Sequence, residues 1–227
     1  MASPSILSAD DHRRVSEAVA RVEEQTAGEI VTILAERSDG YTDVALAWSA
    51  LVAFLALSAL AIAPDFYLHM VDRVLNLWTL DWTPREVLLL ALVAASAKFG
   101  SMMLLQLWQS LKFWLIPPPI KCARVRQRAV RAFRIGAERR TTGRTGVLIY
   151  LSMREHRAEI VADEAIASKV DPAVWGDAMT AMLAELREGR IADGMIAAVE
   201  RVGAILAPHF PRAGDDVNEL PDRLIEV

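Results

Sequence analysis

Two long apolar stretches divide the chain and constrain its fold more than any other feature. The first, Val44–Ala63, has twenty consecutive residues without a charge, and the second, Val87–Leu107, holds Lys98 as its only charged residue. At about 1.5 Å of rise per residue, each helix reaches across the roughly 30 Å hydrocarbon core of a bilayer. Core helices of soluble proteins are rarely apolar on every face over this length. The sequence therefore predicts a transmembrane hairpin over residues 44–116, with an amphipathic linker, 64–86, along the membrane interface.

The placement of basic residues predicts the orientation of this hairpin. Residues 121–157 contain eleven Lys and Arg against two acidic residues, whereas the linker has two Arg among four acids. Segments on the cytoplasmic side of a membrane carry an excess of Lys and Arg. We therefore expect a multi-pass protein of a bacterial inner membrane with both termini in the cytoplasm.

A basic helix is predicted directly after the second apolar stretch. In "IKCARVRQRAVRAFRIGAERR", arginines cover every face except one apolar stripe, which is formed by Val125, Ala129, Phe133 and Ala137. Each cation near an anionic leaflet gains about 1 kcal/mol. Arg124, Arg128 and Arg131 are therefore predicted to contact the membrane surface, with the lipid bilayer as partner. Nucleic acid is not expected as a partner, because neither stacking aromatics nor a known motif accompanies the arginines.

Lys98 is a charged residue inside the second predicted span. A charge within the bilayer is costly and usually marks function. Alternatively, its amine extends to the interface or lies in a helix–helix contact of an oligomer. Lys98 is thus a candidate functional residue, and a membrane protein or a second copy of the chain is a candidate partner.

The segments flanking the apolar stretches have the pattern of two halves of one α/β domain, residues 1–43 and 117–210. The first half predicts a helix capped by Ser8 and then the strand "EIVTILAE", which is apolar on both faces and therefore central in a sheet. The second half predicts a β-hairpin with strands Gly146–Ser152 and Arg157–Ala162.

Two helices are predicted to follow the hairpin. Asp171 and Pro172 provide the start signal of the first helix, and apolar residues recur at helical spacing through the second. The remainder, residues 211–227, is acidic and poor in aromatic residues. It is therefore predicted to be a disordered tail.

Three stretches carry a resemblance to a known family: "LSADDHRRVSEAVARVEEQTAGEIVTILAE", "TGVLIYLSMREHRAEIVAD" and "LREGRIADGMIAAVERVGAIL". At these stretches the chain resembles the TPM domain family, over both soluble halves. The resemblance implies a TPM-like α/β sandwich of a small sheet and helices, here split by the two-helix transmembrane hairpin. For some members it implies weak acid phosphatase activity or calcium binding, and for others an accessory role in membrane complexes.

Acidic residues follow two of the predicted strands. Asp39 and Asp43 come after the first strand, and Asp163 and Glu164 come after the hairpin. If these strands are parallel neighbours, as the resemblance implies, both acidic loops emerge at one sheet edge. Clustered carboxylates are ligands for calcium or magnesium. The alternative is that both loops are solvated and hold no ion.

The sequence offers little support for catalysis. It contains neither HExxH nor GxSxG, and its single cysteine excludes a Cys-rich metal site. We therefore expect a membrane-integral, TPM-like protein that acts as a non-catalytic binding or assembly module at the cytoplasmic membrane surface. One alternative is a weak divalent-metal-dependent phosphatase that uses Asp39, Asp163 and Glu164. A further alternative is an accessory subunit of a membrane transport complex in which Lys98 is important.

Overall fold

The chain forms two compact units in a computed structural model that describes residues 6–75, 82–136, 145–212 and 222–227. One unit combines Met1–Asp39 with Pro118–Val227, and the other consists of Gly40–Pro117. We call them the α/β unit and the helical unit. In the sequence, the helical unit is an insertion into the α/β unit.

A four-stranded sheet forms the centre of the α/β unit. Its strands are β1 (Glu29–Ala35), β2 (Gly146–Ser152), β3 (Arg157–Ala162) and β4 (Ile225–Glu226), in the order β3-β2-β1-β4. Strand β1 is parallel to β2 and β4, and β2 is antiparallel to β3. Every residue of β1 and β2 is buried. The prediction that β1 is a central strand is confirmed, because it has a neighbour on each side.

Helices cover both faces of this sheet. On one face lie α1 (Ala9–Glu23), α8 (Trp175–Arg187) and α9 (Ile191–Leu206), and on the other lies α6 (Pro118–Gly136). Alternate residues of β1 point to opposite faces, so that Ile30 and Leu34 join the first core and Val31 and Ile33 join the second. A short helix, α7 (Glu164–Ala167), follows β3. The predicted α/β fold with a small sheet and flanking helices is confirmed.

Two helices begin with the side-chain caps that the sequence predicts, Ser8 and Asp171. The backbone N–H of Asp11 donates to Ser8 Oγ at 3.1 Å, and that of Ala173 donates to Asp171 Oδ1 at 2.8 Å. Such side-chain acceptors satisfy amide groups that have no partner within the first turn. The second start differs from the prediction, because Asp171 caps a 3₁₀ turn, Pro172–Val174, from which α8 continues.

The described residues of the helical unit form four helices: α2 (Thr42–Ile62), α3 (Pro64–Leu75), α4 (Pro84–Leu105) and α5 (Gln109–Leu115). Helices α2 and α4 pack against each other. The buried Gln106, directly after α4, donates through Nε2 to Ala45 O at 3.1 Å and to Ser49 Oγ at 3.3 Å. Because Ala45 and Ser49 lie near the start of α2, the two helices run antiparallel. Part of the predicted linker, residues 76–81, lies outside the described residues.

Helices α2 and α4 are long and apolar enough to cross a membrane. Only 11% of the most apolar window of α2 is buried, and only 6% of that of α4. Large apolar side chains such as Phe54, Ile62 and Leu88 are 65%, 84% and 70% exposed. The core helix of a soluble protein is mostly buried, and these two helices are not.

The end of the chain corrects the prediction of a disordered tail over 211–227. Residues 222–227 are described and contain β4, which extends the sheet beside β1. The N–H of Val227 donates to Leu34 O at 3.0 Å, and the N–H of Glu36 donates to Val227 O at 2.9 Å. Ile225 of β4 and the buried Leu224 before it are apolar, although the surrounding composition is acidic. Residues 213–221 lie outside the described residues.

Candidate functional site

The predicted acidic edge formed by Asp39, Asp43, Asp163 and Glu164 is wrong. Because β3 is antiparallel to β2 and β2 is parallel to β1, the end of β3 lies where β1 begins. Asp163 follows β3, whereas Asp39 follows the opposite, carboxyl end of β1. Asp43 is in the first turn of α2, in the helical unit. The prediction failed because it assumed that the strand before Asp163 runs parallel to β1.

Each of these carboxylates has a different environment. Asp163 is 4% exposed, and its Oδ2 accepts from the N–H of Gly146 at 3.1 Å. Asp39 lies 3.3 Å from Arg124 Nε, and Glu164 is an exposed residue of α7. Among the described residues, the structure groups no three His, Cys, Asp or Glu side chains that could hold a metal ion. The predicted calcium or magnesium site and the predicted metal-dependent phosphatase both required Asp39 to lie at the same sheet edge as Asp163 and Glu164, and the strand directions do not place them there.

The predicted basic residues of α6 differ in their contacts. Arg124 forms the ion pair with Asp39, Arg128 interacts with the hydroxyl of Tyr150, and Arg131 is exposed. Lys98 lies on α4 with an exposed side chain. Of the predicted membrane-surface arginines, Arg131 is thus exposed without a described contact to the sheet, and Arg124 is engaged within the α/β unit.

A network of polar side chains lies at the carboxyl ends of β1 and β2, with Tyr150, Ser152 and Glu155 buried, and the sequence analysis missed it. Ser38 Oγ is 3.0 Å from the Tyr150 hydroxyl and donates to Ser152 Oγ at 2.9 Å. Glu155, which is 4% exposed, accepts from the Ser38 N–H at 3.0 Å and from the Ser152 hydroxyl. These bonds fix the segment after β1 to the turn between β2 and β3.

These four side chains, Ser38, Tyr150, Ser152 and Glu155, belong to one hydrogen-bond network. Burial raises the pKa of Tyr150 above its ordinary value, while the bond to Ser38 and the guanidinium of Arg128 work in the opposite direction. The phenol therefore stays protonated near neutral pH and donates a hydrogen bond. Spacing within β2 was the available signal, because Tyr150 and Ser152 are two residues apart and share a face. Their contact with Ser38, more than a hundred residues earlier, left no local signal.

A cavity of about 370 Å³ opens beside the turn between β2 and β3. Among the residues that line it are Met153, His156, Leu186, Arg187 and Ile191. His156 has a positive φ of 50°, which is uncommon for a residue other than glycine. Open α/β sheets bind ligands outside the carboxyl ends of their strands. This cavity has the position and the size, about 300–1,000 Å³, of a small-molecule site.

A second pocket, which is lined mainly by polar residues, lies near the start of β1 and has a volume of about 210 Å³. It is lined by Glu23, Glu29, Thr26, Arg212 and Asp222, among others. Burial raises the pKa of Glu23 to about 8. The N–H of Ile30, which donates to Glu23 Oε1 at 2.8 Å, acts against this shift, and the charges of Glu29 and Asp222 add to it. Glu23 is therefore protonated in the folded protein at neutral pH.

Together, the mixed four-stranded sheet with helices on both faces and the polar network at its strand ends define an α/β domain interrupted by an apolar helix pair. Residues 119–205 match the model of the TPM domain family. The predicted resemblance to the TPM domain family is thereby confirmed over these residues. The match begins after the apolar helices, although β1, at residues 29–35, completes the same sheet from the other side of the insertion.

A solved structure shows the same fold. The NMR structure of the BA42 protein from the psychrophilic bacterium Bizionia argentinensis aligns with a TM-score of 0.57 and 17% sequence identity. The alignment covers 100% of this chain and 99% of that protein. No curated protein sequence matches the chain.

Proposed function

We propose that the protein is an integral protein of a bacterial inner membrane whose TPM domain acts as a non-catalytic binding or assembly module on the cytoplasmic side. The exposed apolar surface of α2 and α4 carries this proposal. Each large apolar side chain left in water forgoes about 1.5–3 kcal/mol of burial free energy. Exposed side chains such as Phe54, Ile62 and Leu88 would together make a water-soluble helix pair strongly unfavourable. A bilayer removes this penalty.

The hydrogen bonds of the helical unit support a location in lipid. Gln106 and Ser49, the buried polar side chains between α2 and α4, are bonded to each other. Side-chain hydrogen bonds between helices are a common means of association where lipid replaces water. The indole N–H of Trp48 also donates, to Leu115 O at 3.1 Å. The polar side chains between α2 and α4 are therefore paired, whereas large apolar side chains lie on the outside of these helices.

Positive charge supports the cytoplasmic orientation. The described part of α6, which directly follows the helical unit, carries Lys and Arg without an acidic residue: Lys121, Arg124, Arg126, Arg128, Arg131 and Arg134. An excess of Lys and Arg within about 15–20 residues of a span favours the cytoplasmic side. Both parts of the α/β unit belong to one sheet, so that residues 29–35 and 146–152 must share a compartment.

The hypothesis of a non-catalytic binding module is supported by the hydrogen bonds among the polar groups at the strand ends. Glu155, Ser152 and Ser38 are bonded to one another and hold two loops together. Such a network stabilises a binding surface, and the neighbouring cavity of about 370 Å³ supplies a concave part of that surface. We infer that a membrane-protein partner or a second copy of the chain binds the TPM domain.

The test is purification of the full-length protein from membranes after chemical crosslinking, followed by mass spectrometry of the crosslinked peptides. We expect the protein to stay with the membrane through alkaline and high-salt washes, and crosslinks to join the TPM domain to one defined membrane protein or to itself. The test variant is Glu155→Gln, because Glu155 belongs to the polar network. The control is Glu24→Gln, which makes the same change of charge at an exposed position outside the network.

Two results would contradict the proposal. Release of the full-length protein by alkaline or salt washes would exclude the integral-membrane reading. Metal-dependent release of phosphate from a phosphomonoester by the purified protein, in the absence of any defined crosslinked partner, would instead favour an enzyme.

A further inference from the structure

The two faces of the sheet are covered unequally. Three helices, α1, α8 and α9, contribute to the core on one face, whereas α6 is the long helix of the other core. Helix α6 packs mainly over β3 and β2. A groove of about 270 Å³ lies between the second half of α6 and the edge of the sheet formed by β1 and β4.

This groove has an apolar floor. It is lined by Val31, Ile33 and Leu148 from the sheet, by Phe133 from α6 and by Ile225 from β4. Two further apolar lining residues, Ile135 and Val227, are 73% and 56% exposed. An apolar ligand in the groove would cover these side chains and gain about 25 cal/mol for each Å² removed from water.

The only charged side chains that line the described groove are basic. Arg128 and Arg131 are three residues apart and therefore lie on one side of α6. The guanidinium of Arg128 lies close enough to the Tyr150 hydroxyl to oppose the rise of its pKa, which places this cation beside the sheet. A guanidinium has five N–H donors, so that Arg128 keeps donors for a second group beside Tyr150.

We propose that this groove binds a single-chain carboxylate amphiphile, a fatty-acid anion, with its carboxylate on Arg128 and Arg131 and its chain along the apolar floor. The two arginines match a carboxylate, which guanidinium groups bind through paired, charge-assisted hydrogen bonds. The volume of about 270 Å³ is slightly below the range of about 300–1,000 Å³ typical of drug-sized ligands, and it accommodates one chain rather than two. A single-chain fatty acid fits this volume better than a two-chain phospholipid does.

The test uses the full-length protein in nanodiscs of zwitterionic phosphatidylcholine. The probe is dodecanoic acid with a photoreactive diazirine at the end of its chain, and mass spectrometry locates the labelled peptides. We expect label on peptides that contain residues 31–33, 133–135 and 225–227. Excess unlabelled dodecanoate should reduce that label at least about tenfold, and the methyl ester of the probe should label these peptides about tenfold less. Label on α2 and α4, from probe dissolved in the bilayer, is the internal reference.

Two variants separate the charge from the shape of the groove. Arg128→Gln with Arg131→Gln should lower groove labelling about tenfold. The matched control, Arg126→Gln with Arg134→Gln, removes the same charge from the same helix at positions that do not line the groove, and should leave labelling unchanged. Ala132→Leu adds volume to the groove wall and should lower labelling with both arginines present. Thermal unfolding of each variant by circular dichroism verifies that it is folded.

Three outcomes would overturn the proposal. Label confined to α2 and α4 would show that the probe enters only the bilayer. Equal labelling by the acid and its methyl ester would exclude recognition of the carboxylate. An equal loss in the groove pair and the control pair of arginine variants would show that only the net charge of α6 is important.

Discussion

At the scale of single residues, Glu23 couples the stability of the α/β unit to pH. Its pKa is raised from 4.5 to about 8 by burial, so that the folded protein keeps a proton that the unfolded chain releases between these values. The contribution of Glu23 to stability therefore falls as pH rises from about 4.5 to about 8, by about 1.4 kcal/mol per unit.

We predict that Glu23→Gln removes this dependence and raises the free energy of unfolding at pH 7 by about 3 kcal/mol, because glutamine is neutral in both states. Its side-chain oxygen still accepts from the N–H of Ile30. Thermal unfolding of the full-length protein between pH 5 and 8 measures the effect. Glu24→Gln, at the exposed neighbouring position, makes the same change of charge and should leave the slope unchanged. A similar slope in the Glu23 variant and the wild type would contradict the assignment.

Asp163 is predicted to be important for stability rather than for metal binding. Asp163→Ala leaves the buried N–H of Gly146 without its acceptor, which we expect to lower the free energy of unfolding by about 1–3 kcal/mol. Asp163→Asn keeps an oxygen acceptor and should lose less. Glu164→Ala at the exposed next residue is the control, and denaturant titration measures all three variants. A calcium-dependent shift in the wild type that disappears in Asp163→Asn would restore the metal reading.

At the scale of helices and strands, the packing of α9 against α1 depends on a glycine. A Cβ atom at Gly203 of α9 would overlap the Cγ1 atom of Val22 on α1. We predict that Gly203→Ala lowers the free energy of unfolding by about 1–3 kcal/mol, and that Val22→Ala in the same chain restores part of it.

Gly176 of α8 provides the matched control for this substitution. A Cβ atom there meets no atom within 4 Å, so that Gly176→Ala should raise stability by about 0.5–1 kcal/mol through the loss of chain entropy in the unfolded state. Chemical denaturation of the three variants measures both directions. If both glycine variants were stabilised, α1 and α9 would be less tightly packed than the structure shows.

Local elements could be predicted from the sequence, and their pairing could not. The hairpin strands Gly146–Ser152 and Arg157–Ala162 have the predicted bounds, because alternation and turn residues are local signals. The direction of β3 relative to β1 depends on contacts between distant segments, and its misassignment brought Asp39 and Asp163 together wrongly. The bonds of Ser38 with Ser152 and Glu155 are equally long-range and were missed for the same reason.

At the scale of the whole molecule, the proposed topology predicts where reporter domains will be active. A reporter fused after Val227 should be active in the cytoplasm, and one inserted in the linker between Pro64 and Glu86 should be active on the opposite side. The reason is the excess of Lys and Arg on the segment after α4. Paired alkaline phosphatase and green fluorescent protein fusions at both positions measure it. Equal activity patterns at the two positions would rule out the hairpin, and a C-terminal reporter active outside the cytoplasm would reverse the topology.

The insertion of the helical unit between β1 and β2 also has a consequence for the timing of folding. Glu29 of β1 pairs with Gly146 of β2, which is 117 residues further along the chain. At a synthesis rate of about 5–20 residues per second, β1 leaves the ribosome about 6–23 s before its partner strand. During that interval its seven buried residues have no sheet to join, and the apolar helix pair emerges meanwhile. In a nascent chain, β1 therefore stays without its sheet partner for several seconds, and its apolar residues can be buried in the sheet only after β2 has been made.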